Sequence, residues 1–169
     1  TEGISDWRPI WPVFADEFYA HLKRQFATEG EEGLGKRWQD LNTDYAAWKA
    51  RHFPGRKILE RTGDLKASLT SREAKGSAYA ATPKSLTIGS SIPYAIFHQT
   101  GTSNLAQRKE IALDEPVKRE LMKIAQAYLI QIASMTGLRR GLTPTDAARL
   151  STVKAQYPHW PAPWERGNA

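Results

Sequence analysis

Four histidines, His21, His52, His98 and His159, are the side chains best suited to move a proton or bind a transition metal near neutral pH. They are scattered, without the short spacing that sets two ligands on one helix face or turn. The chain has no cysteine, so a thiolate nucleophile, cysteine-bound zinc and a disulfide are all excluded. Carboxylates gather only loosely, at Glu60, Asp64 and Glu73, with no spacing that argues for an acid–base pair held across a cleft. Gly30, Gly33 and Gly35 precede no Lys-Ser/Thr element and follow a helix pattern instead of a strand, so they do not read as a phosphate loop. The expectation is no catalytic residue, no metal and no cofactor. His98-Gln99 is the most interesting polar pair, and it reads as a histidine satisfying a backbone group at a buried helix end.

Basic side chains are the other chemical resource. The net charge is +6, unevenly spread: residues 1–60 hold nine basic and ten acidic side chains, residues 61–169 fifteen and eight. Arg139-Arg140 and the group Arg56-Lys57, Arg61 and Lys66 could contact phosphates. No recognition-helix or zinc-finger pattern accompanies them, so sequence-specific binding is not expected. Arg139 and Arg140 are read as candidate DNA-facing residues, in non-specific proximity to DNA.

The elements that would position these residues follow from periodicity and punctuation. Trp7, Trp11, Phe14, Phe18, Leu22 and Phe26 recur every three or four positions, the pattern of an amphipathic helix whose regular part begins near Pro12. Residues 29–35 read as a flexible connector. A second helix is expected from Thr43 to His52, capped by Asn42 and stopped at Pro54-Gly55. Thr62 or Asp64 can cap a short helix carrying Leu65 and Leu69. Ser77–Ala81, a Pro83-Lys84 turn and Ser85–Ile88 suit a hairpin, with the strand stopped at Gly89 and a helix beginning near Pro93.

Glu110–Ala112 suggests a further short strand. Val117, Leu121, Ile124, Tyr128 and Ile132 mark a long helix from Glu115 to about Met135, with Pro116 in its first turn and Gly137 past its end. Thr143-Pro144-Thr145-Asp146 can cap a last helix to about Lys154.

Three of these blocks, taken in order, carry a resemblance: Trp38, Leu41, Tyr45, Trp48 and Lys49; then Ile58-Leu59-Glu60-Arg61-Thr62-Gly63-Asp64-Leu65-Lys66-Ala67-Ser68-Leu69; then Thr87-Ile88-Gly89-Ser90-Ser91-Ile92-Pro93-Tyr94-Ala95-Ile96-Phe97-His98-Gln99-Thr100-Gly101-Thr102. Over roughly residues 18–130 the chain resembles the phage virion morphogenesis family, the tail-completion proteins of Mu-like and related tailed phages. It departs from the family after Thr102. A Pro-Arg-Phe type segment is usual there, and Asn104–Ile111 keeps only the arginine.

The resemblance implies a structural virion protein, made in the host cytoplasm and built into the neck or tail. It implies a tail terminator that joins tail tube to head as a homo-oligomeric ring, a hexamer matching a six-fold tail, touching other neck and tail-tube proteins. A head-completion stopper or adaptor, and a nucleic-acid-binding accessory protein, are the alternatives. No run approaches the ~20 apolar residues of a membrane span, and an N-terminus acidic at Glu2 and Asp6 does not read as a secretory signal.

The expected fold is α+β: a small, mainly antiparallel sheet packed against the long C-terminal helix, with a helical N-terminal lead-in and extended terminal arms. Residues 1–137 would form the domain and 138–169 a C-terminal arm. Leu65, Leu69, Ile88, Tyr94, Phe97, Val117, Leu121, Ile124 and Tyr128 are expected to be buried together. The polar loop with Thr100, Gly101, Thr102, Ser103, Asn104 and Arg108 is expected to be ordered mainly by a neighbouring subunit. Tyr157, Trp160 and Trp164, spaced by prolines on a stiff extended segment, are expected to dock on a partner.

Overall fold

The computed structural model describes residues 6–135 and 143–161. Arg139, Arg140 and Trp164 lie outside the described residues. The elements run α1 (Trp11–Ala27), α2 (Glu31–Leu34), α3 (Thr43–His52), α4 (Asp64–Thr70), β1 (Ser77–Ala81), β2 (Leu86–Ser90), α5 (Ala95–Thr100), α6 (Glu115–Met135) and α7 (Pro144–Gln156). The fold is α+β, and its sheet is the two-stranded hairpin β1-β2.

Local chemistry accounts for most of the boundaries. Pro12 sits in the first turn of α1, where its missing N–H is not needed. Asn42 caps α3 by accepting from the Asp44 N–H at 2.9 Å. Thr143 caps α7 by accepting from the Asp146 N–H at 3.2 Å, with Pro144 in the first turn. At α4 the cap is Gly63, with φ 96. Thr62 assists it, its Oγ1 accepting from the Asp64 N–H at 3.4 Å.

The chain groups into two compact units. One unit takes Thr1–Glu17, Ala81–Leu86 and Glu115–Ala169, as far as these are described. Its core is Ile10, Val13, Ile124, Ala127, Tyr128, Leu150, Val153 and Tyr157, flanked by half-buried Trp7, Trp11, Phe14, Leu121 and Trp160. Within this unit α6 packs on α7. Trp7 stacks on Trp11 at 5.9 Å and meets Tyr128 at 5.8 Å. The Trp7 N–H donates to the Pro83 carbonyl at 2.8 Å and Trp11 Nε1 to the Thr82 carbonyl at 2.7 Å.

The free C-terminal arm is corrected over the described part. Tyr157 is buried in this core and its hydroxyl donates to Glu17 at 3.0 Å. Trp160 Nε1 donates to Gln131 Oε1 at 2.7 Å, and Gln131 Nε2 donates to the Pro161 carbonyl at 3.2 Å. Prolines do prevent a helix here. The orphaned polar groups of the extended backbone and the indole instead find a buried glutamine on α6.

The second unit takes Phe18–Ala80 and Thr87–Asp114. Its core is Phe18, Leu22 and Phe26 from α1, with Trp38, Ile58, Leu65, Leu69 and Ala95. Ile88 packs partly against it. The single core expected from the sequence is therefore two. Leu65 and Leu69 belong to one, Ile124 and Tyr128 to the other, and Val117 is buried. Tyr94 and Phe97 are corrected outright, being 41% and 51% exposed. Helix α5 has only six residues and buries Ala95 alone, so its aromatic stripe faces away from the core.

The expected strand at Glu110–Ala112 does not form. Side chains of the same unit take the place of a ladder: Gln25 Nε2 and Trp38 Nε1 both donate to the Lys109 carbonyl, at 2.8 and 2.9 Å. His21 Nε2 lies 2.8 Å from the Ala112 carbonyl. The connector at residues 29–35 holds α2 and a buried Gly33.

Candidate protein-docking cleft

Helix α3 is patterned the wrong way round for an isolated helix. Its only buried residue is Lys49, whereas Tyr45 and Trp48 are 39% and 40% exposed. An ordinary surface helix puts its apolar stripe inward and its charges outward. Here Tyr45 stacks on Trp48 at 5.5 Å, and Trp48 stacks on His52 at 4.7 Å and tilts against Phe53 at 5.7 Å. The result is an exposed aromatic ladder. The inward lysine is satisfied by donating Nζ to the Lys57 carbonyl, and burial pulls its pKa below the ordinary value, with Glu60 and Glu29 opposing.

Beside the ladder lies a cleft of about 940 Å³, entirely within the second unit. Tyr45 and Lys49 of α3 line it together with Tyr94 and His98, the segment Asn104–Ala106 and Arg108, and Leu59, Arg61 and Thr62. Leu59 holds a left-handed φ of 64, a conformation that costs a branched residue energy and is found where surrounding structure enforces it.

Arg108 is the key to how the cleft is built. It is 5% exposed, and it donates from Nε to the Gln39 carbonyl at 2.8 Å and from Nη2 to the Asp40 carbonyl at 2.9 Å. Its backbone N–H donates to the His98 carbonyl at 2.8 Å. Burial pulls the guanidinium pKa below its ordinary value, but the group stays charged at any pH a protein survives. Burial, and then the charge of Arg108, pulls His98 below the usual imidazole value, which keeps it neutral near pH 7. The expected satisfaction of His98 is corrected too, because its Nδ1 is buried without a hydrogen-bond partner.

The structure separates the residues expected to touch partners. Thr100, Thr102, Ser103 and Asn104 are exposed, Gly101 is half-buried, and Asn104 reaches the cleft. Their loop is nonetheless tied down by its own unit, through a bridge between Thr102 and Leu105 and a Gln107 Nε2 bond to the Gln99 carbonyl at 3.0 Å. Side-chain and backbone bonds within the unit supply what apolar surface could not. Arg108 straps its segment to Gln39 and Asp40 and also lines the cleft, whereas Tyr157 and Trp160 pack in the other unit's core.

Of the cleft's lining, Arg61 was picked out from the sequence only as a candidate phosphate contact, and Lys49 and the aromatics Tyr45 and Tyr94 were not picked out as contacts. The one available signal was aromatic residues at helical spacing on a helix with no apolar face to bury them.

Among the described residues no group of three or more His, Asp or Glu side chains could hold a metal ion. No helix among them is long and apolar enough to cross a membrane.

Compared with family models, residues 2–155 match the phage virion morphogenesis family. No curated protein and no solved structure matches the chain.

Proposed function

Because the chain belongs to the phage virion morphogenesis family, we propose that it is a tail-completion protein of a tailed phage, one subunit of a hexameric ring at the junction of tail and head. A part in building the virion follows from the family; the ring and its station are proposed. The work is structural: surfaces are buried between subunits, and no reaction is assigned.

The observation that supports this reading is the inverted pattern of α3, with Tyr45 and Trp48 outside and Lys49 inside. Tyrosine and tryptophan are the residues that most often dominate an interface, and an exposed aromatic ladder costs solubility unless something covers it. On a ring subunit, such a face meets a different face of the next copy, and the contacts close by rotation. Exposed Ile96 and Phe97 on α5, 56% and 51% accessible, supply further apolar surface in the same unit.

Light scattering coupled to gel filtration tests the proposal. The wild-type chain should pass from monomer to a closed ring as its concentration rises, without DNA. The double variant Tyr45→Ser/Trp48→Ser should remain monomeric with an unchanged melting temperature. A wild type that stays monomeric at every concentration and associates only when DNA is added would replace this reading with that of a nucleic-acid-binding accessory protein.

A further inference from the structure

We infer that the cleft beside α3 receives an extended acidic peptide segment of a different protein, its carboxylates meeting Arg61 and Arg108 and its apolar side chains lying between Tyr45 and Tyr94. This deepens the proposed assembly role and rests on it for the statement that the partner is a protein.

Charge makes the first argument. The cleft is lined by Lys49, Arg61 and Arg108 against the single carboxylate of Asp40, and His98 is neutral. Neither Arg61 nor Arg108 has an ion pair among the described residues. Arg108 spends only Nε and one Nη2 bond on carbonyls, so donors of its five-fold set remain for a ligand. A guanidinium held in place by two carbonyls is already oriented, and a carboxylate that meets it loses less entropy on binding.

Shape makes the second. Arg108 is 5% exposed and lies in a concave wall. The phosphates of a duplex lie on a convex rod and do not reach such a group, whereas a side-chain carboxylate on an extended strand does. The apolar lining of Leu41, Leu59 and Leu105, with two tyrosines at the rim, suits a segment that alternates acidic and apolar residues. In the proposed ring the Trp48 face meets the next copy, which leaves the cleft beside it for a segment of a different protein.

The test titrates a fluorescent peptide of alternating Glu and Leu into the full chain, with its Gln-Leu counterpart and a DNA duplex as competitors, and records light scattering on the same samples. The Glu peptide should bind, the Gln peptide should not compete, and the duplex should displace it only weakly. Arg61→Gln should weaken binding roughly three- to tenfold, Arg61→Lys should retain most of it, and Lys84→Gln, an equal charge change on an exposed residue outside the cleft, should leave it unchanged.

Equal binding of the Gln peptide, equal displacement by DNA, or equal effects of Arg61→Gln and Lys84→Gln would overturn the inference. Loss of peptide binding while the ring still forms overturns only the acidic occupant. Binding without any ring overturns the assembly reading instead.

Discussion

Gln99 holds Ile111 from both sides. Its Oε1 accepts from the Ile111 N–H at 3.1 Å and its Nε2 donates to the Ile111 carbonyl at 3.0 Å, the two bonds a neighbouring strand would make. Oε1 also accepts from the Glu110 N–H at 2.9 Å. One side-chain amide thus takes the place of a strand partner, and the segment leading to α6 is held without a sheet.

Truncating that amide should be expensive. Gln99→Ala strands three backbone groups in a partly buried place, at a cost of about 2–4 kcal/mol in chemical denaturation. Gln99→Met keeps most of the packing and loses the same three bonds, so its loss should stay close to that of alanine. A much smaller loss in Gln99→Met than in Gln99→Ala would show that packing, not the paired bonds, is what Gln99 contributes.

Glu110 gives the stability a pH dependence of known sign. It is 1% exposed, its Oε1 has no partner, and burial raises its pKa from 4.5 to about 8. Between those values the folded chain keeps a proton that the unfolded chain has released. Stability therefore falls as pH rises through this window, by at most about 1.4 kcal/mol per pH unit, and levels off above it. Glu110→Gln removes the effect, so it should melt higher than wild type at pH 8 and close to it at pH 5. His98 acts oppositely: its lowered pKa means that stability is lost as pH falls below the ordinary value of 6.5. A Glu110→Gln difference that is the same at both pH values would contradict the buried acid.

The bond between Trp160 and Gln131 makes the end of the described chain part of the fold. Trp160→Phe should cost about 1–3 kcal/mol, because it leaves Gln131 Oε1 unpaired in a buried site. Deleting residues 157–169 also removes the buried Tyr157 and should lower the melting temperature sharply. A truncated chain that melts like wild type would restore the free arm.

Gly30 and Gly35 separate backbone strain from crowding. Both have positive φ, at 96 and 68, but a Cβ at Gly30 would stand 2.7 Å from the Trp38 ring, whereas nothing lies within 4 Å at Gly35. Gly35→Ala should cost about 1 kcal/mol for the left-handed backbone alone. Gly30→Ala should cost about 2–4 kcal/mol, as the ring must also move. Equal costs would mean that the ring gives way freely.

What the sequence made legible was local. The cap at Asn42, the cap at Thr143 followed by Pro144, and the stripe from Val117 to Tyr128 each lie within a few residues of what they determine, and those helices fall where their signals put them. The strap of Arg108 onto Gln39 and Asp40, and the capture of Lys109 by Gln25 and Trp38, join residues some seventy to eighty positions apart and leave no periodic trace. Helix α5 failed for another reason. In six residues nearly every face looks amphipathic, so Tyr94 and Phe97 could be assigned inward as easily as outward. The cleft was missed because an inward Lys49 reverses the rule by which faces are assigned.

The central claim is that the α3 face is covered when the virion is built, and Trp48 reports on it directly. Hydroxyl-radical oxidation of Trp48, read by mass spectrometry, should be compared between the isolated monomer and purified particles that contain the protein. At 40% exposure the indole should oxidise readily in the monomer and be strongly protected in the particle. The same oxidised fraction in both would contradict the account.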